Sequence, residues 1–184
     1  MNILDRYLIP LVLAPGVIIH ELAHYLACKG TDVPVQEVAF FRFGSPPGYV
    51  KHAIPRSYTK RIVITMAPFL LNTGIAIALF AWSVDFPPFE GAALMLLGTI
   101  ILSSAVPSGL DTANLFPHSV IGWFHPLFLL SLPLIVLLFA LNKLRPYGSN
   151  HLITALGAGL LFLTFHTSVI DAPTLEMLRE VYQP

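Results

Sequence analysis

Residues His20, Glu21, Leu22, Ala23 and His24 spell His-Glu-Leu-Ala-His. Positions i and i+4 of a helix lie on one face, so this spacing sets two imidazoles side by side. Two nitrogens so placed can share one zinc ion at about 2.0–2.1 Å. Glu21 projects just beside the pair. From there its carboxylate can take a proton from a water polarised by the ion, without binding the ion itself, and pass it to a leaving amine. Chance gives this pattern in roughly one chain of such composition in a hundred. The bland alternative is that the three polar side chains bond to one another or to neighbouring helices as packing groups.

The elements that must hold these residues are apolar. Of 184 residues, 55% are hydrophobic and 11% charged, against roughly 45–50% and 25% in an ordinary soluble domain. This composition excludes disorder and collagen-like structure, and it makes the bilayer the expected solvent. Ten Lys and Arg balance ten Asp and Glu, so there is no broad positive field of the kind nucleic-acid binding requires. The single cysteine, Cys28, has no internal disulfide partner. No repeat or composition break divides the chain, so residues 1–184 are expected to form one integral membrane domain.

Five apolar stretches approach or reach the roughly 20 residues needed to cross the hydrocarbon core: Leu8 to Cys28, Ile62 to Val84, Ala92 to about Leu110, Ser119 to Leu141 and Leu152 to Ile170. The first is too long and too polar in its second half to read as a secretory signal, and is taken as a retained span. The segment between the first two stretches carries Lys29, Arg42, Lys51, Arg56, Lys60 and Arg61 against Asp32 and Glu37, whereas the next carries Asp85 and Glu90 and no base. Basic loops stay in the cytoplasm, so loop 29–61 is expected inside and the N-terminus outside. Five spans would put Lys143 and Arg145 outside. Breaks at Pro126 and Pro133 would make the fourth stretch re-entrant and keep those charges inside. The expected fold is an all-α polytopic membrane protein of four to five transmembrane helices, five being favoured by the length of the fourth stretch, with a small β-hairpin between the first two spans.

Catalytic zinc takes three protein ligands and leaves a position open. With the first stretch running inward, His20 and His24 lie roughly 6–12 Å from its cytoplasmic end. The third stretch also runs inward and brings Asp111 to that depth, while Asp85 and Glu90 fall on the far side. Asp111 is therefore the preferred third ligand. His52, His118, His125, His151 and His166 remain as alternatives, each more in keeping with an interfacial or core histidine, His166 least comfortably so. Cys28 reads as a small buried residue.

With these residues in hand, the chain resembles the site-2 protease family of intramembrane zinc metalloproteases. His20, Glu21 and His24 match that family's first element, and Ala67, Pro68 and Asn72 resemble its Gly-Pro-x-x-Asn element. Pro107, Ser108, Gly109, Leu110 and Asp111 resemble its Asn-x-x-Pro-x-x-x-x-Asp-Gly element, with the proline one residue nearer the aspartate, Ser104 at the asparagine position and Thr112 in place of the glycine. The resemblance covers about residues 8–116. It implies His20, His24 and Asp111 as ligands of one Zn2+ and Glu21 as general base. Asn114 could donate to a developing oxyanion, orient Asp111 or simply close a helix, and Asn72 could contact substrate or another helix. Residues 117–170 would add further membrane helices, and 171–184 a surface tail.

Val35 to Phe43 and Tyr49 to Ile54 are rich in β-branched and aromatic residues and flank the turn-forming Gly44-Ser45-Pro46-Pro47-Gly48. The expected hairpin would hold an unwound substrate strand at its edge, as the resemblance implies, or rest Phe40, Phe41 and Phe43 in the headgroup region. Ala14-Pro15-Gly16 is expected to kink or start the first helix, and Gly30 to cap its end. The expected function is hydrolysis of a peptide bond in or near a transmembrane segment of a membrane-protein or peptide substrate. A non-proteolytic zinc protein with a structural or regulatory role is the alternative, motivated by the altered residues around Ser104 and Thr112. A transporter is disfavoured by the absence of inverted halves.

Overall fold

The computed structural model of the chain describes residues 7–117, 121–144 and 159. Apart from Gly159, the expected stretch Leu152 to Ile170 and the tail 171–184 lie outside the described residues, as do His118, His151 and His166. The described chain is mostly helical. Helix α1 (Ile9–Gly30) leads to strands β1 (Val35–Ala39) and β2 (Tyr49–His52), then α2 (Tyr58–Ser83), α3 (Pro88–Ser103), the short α4 (Gly109–Ala113), a 3₁₀ turn (Ile121–Phe124) and α5 (Pro126–Leu144).

Helices α1 and α2, of 22 and 26 residues, span about 33 and 39 Å at 1.5 Å per residue, more than the roughly 30 Å of a hydrocarbon core. Among the described residues these two are long and apolar enough to cross a membrane, and α3 and α5 are shorter apolar helices. A core helix of a soluble protein hides most of its surface. Here only 28% of the most apolar window of α1 or of α2 is buried, and Leu11, Leu70, Leu96 and Leu130 stand exposed. Apolar surface on that scale calls for an apolar surrounding.

The helix boundaries depart from the apolar stretches where proline and caps intervene. The expected third stretch does not continue to Leu110 as one helix. Pro107 lacks an N–H and pushes Val106 out of the helical region, so α3 stops at Ser103 and helix resumes at Gly109. In the fourth stretch Pro126 starts α5, where its missing N–H costs nothing, and the helix continues through Pro133 without ending there. Helix α1 likewise runs through Pro15 rather than starting at it. Gly30 is the last helical residue and not the stop. Thr31 closes the helix with its N–H and hydroxyl on the Ala27 carbonyl, at 3.0 and 2.7 Å, and Asp32 makes the left-handed turn at φ 54°, which aspartate tolerates better than most residues.

Helices α1, α2 and α3 pack on one another, the hairpin lies on α1, and α5 lies against α4. Small residues allow the close approach, as in membrane helix pairs generally. A Cβ at Gly16 would sit 2.7 Å from both the Ile100 carbonyl and the Ser104 hydroxyl, and one at Gly98 would sit 3.2 Å from the Phe80 ring. Asn72, fully buried on α2, donates from its amide nitrogen to the Gly16 carbonyl of α1 and the Ile101 carbonyl of α3, both at 3.1 Å. One side chain thereby ties three helices together a turn before His20.

The hairpin is antiparallel, pairing Val35 with His52, Glu37 with Lys51, Val38 with Val50 and Ala39 with Tyr49. Lys51 donates to Glu37 at 2.6 Å, and the Tyr49 hydroxyl donates to the same carboxylate. The Lys51 hydrogen bond, with that of Tyr49 behind it, holds the Glu37 carboxyl below its ordinary range. The pairing thus persists down through the usual carboxylate titration and is lost as pH falls through the lowered value. Being exposed, the cluster fixes strand register more than it stabilises the fold.

Candidate metal centre

Two rings one turn apart on α1 form the first half of the site. His20 and His24 have ring centroids 5.0 Å apart and are 9% and 5% exposed. Each Nδ1 meets a backbone carbonyl: His20 the Ser104 oxygen at 2.6 Å, His24 the Ile64 oxygen at 2.9 Å. A carbonyl only accepts, so each Nδ1 must carry the hydrogen. In the neutral rings both Nε2 atoms are then bare lone pairs, the state a metal requires of imidazole. Ser104 offers its carbonyl because it is the C-cap of α3, where the last carbonyls have no helical partner.

The second half comes from α4. Ser108 and Asp111 form a capping box: the Ser108 hydroxyl accepts from the Asp111 N–H at 3.2 Å, and Asp111 Oδ2 accepts from the Ser108 N–H at 2.7 Å. The carboxylate is therefore fixed by the start of its own helix. Three further contacts hold this segment. Thr65 of α2 donates to the Asp111 carbonyl at 3.1 Å, Thr112 to the Ser108 carbonyl at 2.9 Å, and Asn142 of α5 to the Pro107 carbonyl at 3.1 Å. Helix α5, for which the sequence offered no role, braces the segment that carries Asp111.

Across the gap, Asp111 Oδ1 lies 3.2 Å from His24 Nε2 and Oδ2 lies 3.7 Å from His20 Nε2. One ligand atom from each of the three residues falls within 4.8 Å of the others. His24 Nε2 is buried and has no hydrogen-bond partner, so its approach to Oδ1 is not aligned as a hydrogen bond. With both rings neutral, two imidazole lone pairs and a carboxylate facing one another repel, and a buried polar atom left unpaired is costly; a proton on Nε2 would instead pair the ring with Asp111. A divalent cation relieves both, and two nitrogens with one carboxylate oxygen form a donor set that suits zinc.

No family model, curated protein or solved structure matches the chain. Among the described residues the arrangement itself is the guide to function.

Glu21, half-buried on α1, feels the charges of His20, His24 and Asp111. The hairpin presses on it. A Cβ at Gly48 would lie 2.7 Å from Glu21 Cγ, 3.0 Å from the Phe40 carbonyl and 3.0 Å from Val17. Phe40 stacks edge-on with Tyr25 of α1, and Phe43 with Tyr7. The loop after β1 is thus seated against the helix that carries Glu21.

The remaining candidates go elsewhere. Two helix carbonyls occupy the Asn72 amide nitrogen, which makes the residue an inter-helix tie. Asn114 is the C-cap of α4, its N–H directed to the Leu110 and Asp111 carbonyls. His52 contacts the neighbouring Ala53 carbonyl, His125 packs on Tyr58, and Cys28 lies in a buried cluster with Val33 and Ile64. Sequence reasoning passed over Ser108, although Ser-x-x-Asp is a capping-box signature. It also passed over Gly48, whose role depends on a contact 27 residues away in the chain.

Substitution of Gly48 by Val should displace Glu21 or the loop and leave the ligand set alone. The expected result is an affinity for added zinc equal to wild type, with any hydrolytic activity reduced about 10²-fold, the scale of a 1 Å misplacement. Equal loss of metal and activity would assign Gly48 to folding instead.

Proposed function

We propose that the chain is an intramembrane zinc metalloprotease that hydrolyses a peptide bond in or near a transmembrane segment of a membrane-protein substrate. The observation that carries the reading is the convergence of one ligand atom each from His20, His24 and Asp111 within 4.8 Å, with Glu21 next to His20 in sequence and held under Gly48. The resemblance of these residues to the site-2 protease pattern points the same way. Bound zinc would supply a Lewis acid that polarises the scissile carbonyl and acidifies water.

This chain's own groups do the rest. Glu21 accepts the proton of the attacking water and returns it to the leaving nitrogen. Asp111 and Glu21 together would balance the two positive charges of a bound ion, so the centre with neutral imidazoles would carry no net charge into the bilayer. The hairpin edge holds a substrate strand by backbone hydrogen bonds, replacing those lost when a helix unwinds. In this reading the protein is multi-pass, with four to five spans, and loop 29–61 and the active site face the cytoplasm. The basic residues of that loop support the orientation. The position of His24 six residues before the end of α1 supports a site near that face.

The test is metal removal. Purified protein in liposomes with a single-span substrate should cleave it, lose cleavage on chelation, and regain it with one equivalent of zinc. Zinc bound at one equivalent with no turnover on any single-span substrate would favour the structural or regulatory alternative.

A further inference from the structure

Proline 68 lies inside α2, and the amide it lacks is the one that would bond to the carbonyl four residues earlier, Ile64. That carbonyl is the one that accepts from His24 Nδ1 at 2.9 Å. Ile64 is 2% exposed and Pro68 is fully buried, so water does not serve as the alternative donor there. A buried carbonyl without a partner is costly, and among the described residues the hydrogen bond it is given from outside its helix comes from His24.

We infer that Pro68 is a positioning residue of the metal centre: by withholding its N–H it frees the Ile64 carbonyl, which fixes His24 as the Nδ1–H tautomer and leaves Nε2 bare toward Asp111. The geometry runs through three elements. Helix α2 supplies the acceptor, α1 the ring, and α4 the carboxylate that Nε2 faces at 3.2 Å. Thr65, next to Ile64, holds the Asp111 carbonyl at 3.1 Å, so one turn of α2 sets both partners. The consequence for zinc rests on the reading of His20, His24 and Asp111 as ligands. The tautomer does not.

The experiment is nitrogen-15 NMR of labelled histidine in the metal-free full-length protein above the imidazole titration, paired with a zinc titration. Wild type is expected to show His24 protonated at Nδ1. Pro68→Ala restores an amide that competes for the Ile64 carbonyl. It should lose that tautomer preference and weaken zinc binding about 10–100-fold, the usual cost of a lost outer partner. A backbone ester, Pro68→lactate, has no N–H and no ring, and should keep both properties. Pro133→Ala makes the same exchange in α5 and should leave both unchanged.

Loss in the alanine and lactate variants alike would mean that the ring matters and not the missing donor, overturning the inference. So would an Nε2–H tautomer in wild type, a reading that stands even where Pro68→Ala fails to fold. An Nδ1–H tautomer that Pro68→Ala abolishes, in a protein that binds no zinc, would uphold the positioning role and remove the metal reading.

Discussion

Replacing Glu21 by Gln is expected to leave zinc bound at one equivalent and to reduce cleavage of a membrane substrate by roughly 10²–10⁴-fold, the usual contribution of a positioned general base. The amide keeps the shape of the side chain, so the Gly48 contact and the seat of the hairpin survive, while the capacity to take a proton is gone. The split between metal content and turnover is the informative part. Cleavage by the purified variant at the wild-type rate would sink the assigned role of Glu21, and loss of zinc along with activity would make Glu21 a ligand instead of a base.

The second large effect is expected at Asp111. Asp111→Asn keeps an oxygen to accept from the Ser108 N–H, so the start of α4 is preserved, but it removes the charge that faces His20 and His24. Zinc affinity should fall by more than the roughly 10–100-fold that a lost outer partner costs, and cleavage should fall with it. Ser108→Ala makes the complementary change. It removes the cap, at about 1 kcal/mol, and keeps the carboxylate, so it should weaken zinc binding far less. Equilibrium titration of both variants with zinc alone checks the pair. Equal affinities for wild type and Asp111→Asn would exclude Asp111 from the centre.

The difference between these two residues also indicates what a sequence can disclose. His20, Glu21 and His24 were legible because their chemistry is local: one helical turn suffices to put two imidazoles on one face. Asp111 was reachable by counting apolar stretches, since the third, expected to run in the same direction as the first, brings it to the depth of His20 and His24. The hairpin was legible from its β-branched strands and the Gly-Ser-Pro-Pro-Gly run. Its end points were less so, because strands stop where pairing stops, at Ala39 and Tyr49.

What lay beyond reach depends on contacts between elements. The stop at Ser103 follows from Pro107, yet its use as a source of a free carbonyl for His20 appears only once α1 packs against α3. For Asn72 the sequence left substrate or another helix open as partners. Those partners turn out to be carbonyls of two neighbouring helices, 56 and 29 residues away in the chain. Pro68 could be matched to a motif position, but the carbonyl it frees has meaning only beside His24. In each case the residue type announced a constraint, and packing decided which group satisfied it.

The central claim is that His20, His24 and Asp111 hold one catalytic zinc ion. X-ray absorption at the zinc edge on the loaded wild-type protein, repeated on Asp111→Asn, tests it most directly. The expected wild-type spectrum has two imidazoles and at least one oxygen at about 2.0–2.2 Å, with no sulfur, and the variant is expected to lose the bound metal. A sulfur shell would implicate Cys28. A third imidazole, or an unchanged spectrum in the variant, would place the ion on another histidine and contradict the account.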